Sequence, residues 1–176
     1  MLRLEQIVTV NSVFCRKLRM LNSWLIIGGI TTLVAFGSFF FKPRDIPWAA
    51  KLDRPRWLFF EPAIPLIWTV AFFCGAWSAG LVWQHEPGSL KTWIFMGLYL
   101  LVEVVTVAYI PATLRSRSLA IGTFLGGLGV VLGAVLAVLV GQQSLEAALL
   151  LLPYLLWSPV GTYTTRRMID LNPEAT

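Results

Sequence analysis

Of the 176 residues in this chain, 57% are hydrophobic and only 13% charged, with a mean hydropathy of +0.73, which leaves too few polar side chains to clothe a soluble globule. The net charge of +5 comes without a basic stripe interleaved with aromatic residues, so nucleic-acid binding is excluded and membrane topology accounts for the charge. The composition is that of an integral membrane protein.

Residues 1 to 21 form an N-terminal extension with two readings. Met20, followed by Leu21, Asn22, Ser23 and Trp24, offers an alternative start; otherwise the extension lies on the membrane as an amphipathic surface helix, with Leu4, Ile7, Val8 and Val13 set among charges. A cleavable signal peptide fits less well, because the strong apolar run begins only after residue 20.

Apolar stretches of about 20 residues, the length that crosses a bilayer, follow at residues 22 to 41, 64 to 83, 93 to 114, 119 to 140 and 145 to 165. Backbone polar groups in hydrocarbon must pair within their own segment, so the fold expected is an all-α membrane protein, a five-transmembrane-helix bundle over residues 22 to 172 with a tail at 173 to 176. The links at 84 to 92, 115 to 118 and 141 to 144 are short, which makes successive helices antiparallel neighbours. Only the first loop, at 42 to 63, is long, and it holds Trp48, Trp57, Phe59, Phe60 and four prolines. An apolar loop of that length is expected to act as a lid.

With five spans, the first loop, the turn at 115 to 118 and the C-terminus share one side, which carries Lys42, Arg44, Lys51, Arg54, Arg56, Arg115, Arg117, Arg166 and Arg167. The other side carries Arg3, Arg16, Lys17, Arg19 and Lys91, so the first group, and the C-terminus with it, is expected in the cytoplasm. The setting expected is a bacterial inner membrane or an equivalent organelle membrane. Cys15 and Cys74 lie at different depths, which argues against a disulfide.

Eight tryptophans need more explanation than membrane anchoring alone. Trp24, Trp83 and Trp93 fall at span ends, where interfacial belts place indoles, and Trp77 has the place of a packing residue. Trp68 and Trp157 lie within spans and are the stronger pocket candidates. Glu103 is an ionisable group inside the third span, at a cost of roughly 2.5 to 3.5 kcal/mol on insertion scales, and is a functional suspect for that reason. It has two readings: a hydrogen bond to Thr106 or a facing helix, or a pocket acceptor for a pyrrole N–H or a central metal. Pro153 and Pro159 are expected to kink the fifth span near Trp157. Gly122, Gly126, Gly129 and Gly133 form a ridge for close helix contact, inside the chain or with a second copy.

Conventional catalytic constellations are missing from the sequence. His85 is the single histidine and stands in a turn; no metal cluster, phosphate loop, nucleophile elbow or carboxylate pair is evident.

The stretch Trp48, Leu52, Arg54-Pro55, Trp57, followed by Trp68 and by Ala79-Gly80-Leu81-Val82-Trp83, resembles the first loop and second helix of the TspO/MBR family of tryptophan-rich sensory and translocator proteins. Pro153-Tyr154-Leu155-Leu156-Trp157, Thr162-Tyr163 and Leu171-Asn172 are similar to the family's fifth helix, so the resemblance covers residues 22 to 172. It implies a five-helix receptor or sensor that binds porphyrins or other tetrapyrroles, and in some members sterols, in a pocket capped by the first loop. It also implies light-dependent porphyrin breakdown in bacterial members. A homodimer is implied too, with no intrinsic cofactor. By position the ligand-binding residues are Trp48, Trp57, Trp68, Phe72, Tyr154 and Trp157, with Trp68 and Trp157 acting in any photochemistry; Glu103 joins them as the ionisable group of the third span, and Arg54 and Arg56 are candidates to pair with propionates. The chain departs from the family where Phe59-Phe60 replaces a Pro-Pro pair, where Phe72 replaces a tyrosine, and in the third helix, where Glu103 stands in a segment that usually brings asparagine and tryptophan. Two other functions remain open from the residues: transport of a small apolar solute, against which stands the lack of internal repeats, and an accessory role in a larger membrane complex.

Overall fold

The computed structural model describes residues 22 to 39 and 45 to 176; the expectations for the N-terminal extension, for Cys15 and for Lys42 and Arg44 fall outside these. In chain order the helices are α1 (Asn22–Phe39), α2 (Ile46–Ala50), α3 (Ile64–His85), α4 (Leu90–Ser116), α5 (Leu119–Gly141), α6 (Leu145–Leu149) and α7 (Leu152–Leu171). Five stretches are long and apolar enough to cross a membrane among the described residues: α1, Glu61–His85, α4, α5, and Leu145–Leu171, which joins α6 to α7. This is the five-helix architecture expected, and no strand interrupts it in the described chain.

Local chemistry sets where the helices begin and end. The hydroxyls of Ser89, Ser118 and Ser144 accept the backbone N–H of Thr92, Ile121 and Ala147 at 3.1, 3.4 and 3.2 Å, satisfying donors that the first turns of α4, α5 and α6 leave unpaired. Ser89 therefore starts the third span three residues before the expected 93, and the fifth runs on to Leu171, beyond the expected 165. Arg117, in the left-handed region at φ 52°, closes α4 and reverses the chain into α5.

Pro153 has no N–H to give Leu149, and its ring crowds that carbonyl, so the fifth span breaks at Leu150–Leu151 between α6 and α7. Pro159 and Pro111 lie inside α7 and α4 without ending them. The interruption thus falls at the first of the two prolines expected to bend this span.

The core is a ring in which α3 packs on α4, α4 on α5, α5 on α7 and α7 back on α3, with α6 wedged between α3 and α5. Ser78 ties the wedge in place: its hydroxyl, fully buried, donates to the carbonyl of Ala147 at 2.6 Å and lies 2.5 Å from the Tyr99 hydroxyl. The four α5 glycines of the ridge face inward. A Cβ on Gly122 would come within 2.6 Å of the Thr113 hydroxyl, and one on Gly126 within 2.5 Å of the Thr162 hydroxyl; at Gly129 it would approach the Tyr154 hydroxyl to 2.8 Å, and at Gly133 it would overlap the Tyr154 ring. The ridge is filled by this chain's own α4 and α7.

Helix α1 stands outside the ring and exposes most of its surface. Ile27 packs against the core, and two further contacts hold the helix there. The Trp24 ring lies where a side chain on Gly80 would otherwise sit and meets Trp77 edge-on at 5.5 Å, while Thr31 donates to Glu103 of α4 at 2.6 Å. Trp24, expected in an interfacial belt, is therefore also a packing residue. Trp83 and Trp93 meet edge-to-face at 5.1 Å where α3 turns into α4.

Candidate functional site

At the centre of the ring the four helices do not close completely. Trp68, Ala71, Phe72 and Gly75 recur at i, i+3, i+4 and i+7 and so share one face of α3; Tyr99, Glu103 and Thr106 recur at i, i+4 and i+7 on α4. These two faces, with Gly133 and Leu136 of α5 and Leu151 and Tyr154 of the fifth span, line a cavity of about 30 Å³. That is room for one or two water molecules.

The wall is aromatic with a polar seam. Trp68 lies 6.0 Å from Phe72 and meets Tyr154 edge-on at 6.1 Å, a geometry that aromatic quadrupoles favour. Along the seam, the Tyr154 hydroxyl is 3.0 Å from that of Thr106, which also donates to the Val102 carbonyl. The Glu103 carboxylate accepts the hydroxyl of Thr31, so the hydrogen bond to a facing helix is present and its partner is α1 rather than Thr106. Glu103 also lines the cavity, so the two sequence readings of this residue are compatible in space.

The first loop meets this arrangement through a column of rings. Phe60 contacts Trp157 edge-on at 5.9 Å and Trp57 at 6.2 Å, and Trp57 stacks on Tyr163 at 6.2 Å. Tyr154 and Trp157 are three residues apart on α7 and so share a face about one turn apart, Tyr154 at the level of the cavity and Trp157 at the level of the loop. The Trp157 indole N–H is buried there with no acceptor among the described residues.

Of the residues singled out by sequence, Trp68, Phe72, Glu103 and Tyr154 come together around the cavity, whereas Trp57 and Trp157 lie in the loop-side column. Trp48, in α2, is half-buried and belongs to neither group. Arg54 forms an exposed ion pair with Glu61 at 3.1 Å. Sequence reasoning missed Tyr99, Thr106, Gly133 and Leu151; the helical spacing of Tyr99 and Thr106 around Glu103 is the signal that identifies a polar face on α4. His85 is exposed at the end of α3, and no group of three potential metal ligands occurs among the described residues.

The chain is similar to two bacterial proteins over most of its length. It is 27% identical over 147 residues to the tryptophan-rich protein TspO of Bacillus cereus, covering 81% of this chain and 95% of that one. It is 26% identical over 132 residues to the uncharacterized membrane protein YtaB of Bacillus subtilis, covering 74% of this chain and 83% of the relative. The sequence pattern of the TspO/MBR family matches residues 25–170, which takes in the whole ring, the loop and nearly all of α1, and this multi-pass membrane protein belongs to that family.

Proposed function

We propose that the protein is a membrane receptor or sensor for flat, largely apolar ligands of the tetrapyrrole class, held between Trp68 and Tyr154 at the central cavity. The observation that carries this reading is the cavity wall itself, where aromatic rings, one carboxylate and three hydroxyls come together at the meeting point of four helices. A ligand leaving lipid gains little from the hydrophobic effect, since it leaves an apolar medium. Selection then rests on stacking and on a few polar contacts, and this wall offers both.

The cavity as it stands is far below the roughly 300 to 1,000 Å³ of ordinary ligand pockets, so binding requires the wall to part. The loop-side column is the natural place. Phe60 and Trp57 rest on α7 through ring contacts, and the buried N–H of Trp157 offers a donor to an arriving acceptor. Light-driven breakdown of a bound porphyrin, the activity that family resemblance implies for bacterial members, would draw its reactivity from the macrocycle, with Trp68 and Trp157 as nearby electron donors. A homodimer of this chain would use outward helix surfaces, because the α5 ridge is occupied internally.

Titration of the purified protein with protoporphyrin IX, followed by indole quenching and by the Soret band, tests the reading. Saturable binding is expected, weakened about fivefold by Trp68→Leu, the scale of one ring contact, and unchanged by Trp93→Leu at the far end of the bundle. Absence of saturable binding overturns it.

A further inference from the structure

The central cavity is not the largest concavity of the molecule. Where the first loop crosses the last turns of α7, a groove of about 480 Å³ opens between Arg54, Arg56 and Trp57 on one side and Arg167 on the other. Its volume falls within the range of small-ligand pockets. Asn172 holds the two walls together, accepting the backbone N–H of Asp53 at 2.8 Å and donating to its carbonyl at 3.0 Å.

The charges in this groove are not all alike. Arg54 is matched by Glu61, and Arg167 by Asp170 at 3.0 Å, both in exposed pairs. Asp53 adds a second carboxylate to the lining. Arg56 is exposed and has no ion-pair partner among the described residues, and the Arg167 guanidinium, paired through one nitrogen, retains further N–H donors. Trp57 belongs both to this groove and to the ring column that leads through Phe60 to Trp157.

We propose that the groove is a capture site for the carboxylate edge of the ligand: Arg56 and Arg167 hold the acid groups through charge-assisted hydrogen bonds, while the macrocycle lies against Trp57 at the head of the ring column. This rests on the reading of the protein as a tetrapyrrole receptor and adds to it a second, polar site that selects diacids over neutral rings of the same shape. Arg167, contributed by α7, joins the loop arginines in this role.

The test compares protoporphyrin IX with its dimethyl ester on the full chain in phosphatidylcholine nanodiscs, with empty discs subtracted, for wild type and for the R56Q/R167Q double variant. Wild type is expected to bind the diacid about fivefold more tightly than the ester, the scale of one exposed ion pair. The double variant is expected to bind both at the ester's affinity, and its unchanged ester binding shows that it is folded. Equal affinities in wild type, or a preference that survives in the double variant, overturn the capture site and leave the receptor reading standing. Saturable binding of neither compound to wild type overturns both.

Discussion

Asn172, one residue past the end of α7, grips Asp53 of the first loop by both its N–H and its carbonyl, and donates as well to the Met168 carbonyl at 2.8 Å. A buried amide thus joins positions 119 residues apart and fixes the loop over the ring of helices. Asn172→Ala removes all three bonds and leaves the Asp53 groups to water. The loss expected is about 1 to 3 kcal/mol, read most clearly as faster amide hydrogen exchange around Leu52 to Arg54, with exchange in α5 unchanged.

The α5 ridge makes a sharper prediction because it contains its own control. Gly133→Ala drives a methyl group into the Tyr154 ring, whereas Gly127 has nothing within 4 Å of the same added atom. Thermal unfolding in detergent should show Gly133→Ala destabilised by about 1 to 3 kcal/mol and Gly127→Ala close to wild type. Equal effects at the two positions contradict the packing described for α5 and α7.

Thr31 and Glu103 supply a polar contact between α1 and the ring. A double-mutant cycle of Thr31→Val and Glu103→Leu should give a coupling of about 0.6 kcal/mol, typical of hydrogen bonds between membrane helices. Glu103→Gln, which keeps an acceptor oxygen, should retain most of it. Additive single effects would remove this bond from the account.

Ser78→Ala leaves the Ala147 carbonyl without its hydroxyl donor and the Tyr99 hydroxyl without its neighbour, in a place with no exposure to water. A cost of about 1 to 3 kcal/mol is expected, together with faster hydrogen exchange in α6, since Ser78 is the side-chain tie between α3 and that short helix.

Much of the fold was legible in the sequence because bilayer thickness imposes it: apolar runs of span length had to be helices, and short links had to make neighbours antiparallel. Glu103 stood out for the same reason, as a carboxylate where hydrocarbon is expected. Its partner did not, because which of several hydroxyls meets it depends on how α1 rotates against α4. The two strongest tryptophan candidates likewise fell on different levels. Trp68 reaches the cavity, but on α7 Tyr154 takes that level, and Trp157, one turn further along the same face, meets Phe60. Height along the helix decides this, and the start of α7 at the Pro153 break sets that height. Asn172 stood out only through the family resemblance, and its clasp on Asp53 was not legible, since the two ends share no local pattern.

The most direct measurement is a structure of the protein with protoporphyrin IX bound in a lipid disc. The account predicts that Trp68 and Tyr154 separate to flank the macrocycle, with Glu103 within hydrogen-bond reach of a pyrrole N–H. A macrocycle resting on the outer surface of α1 or α5, with Trp68 and Tyr154 still in contact around a closed cavity, would contradict it.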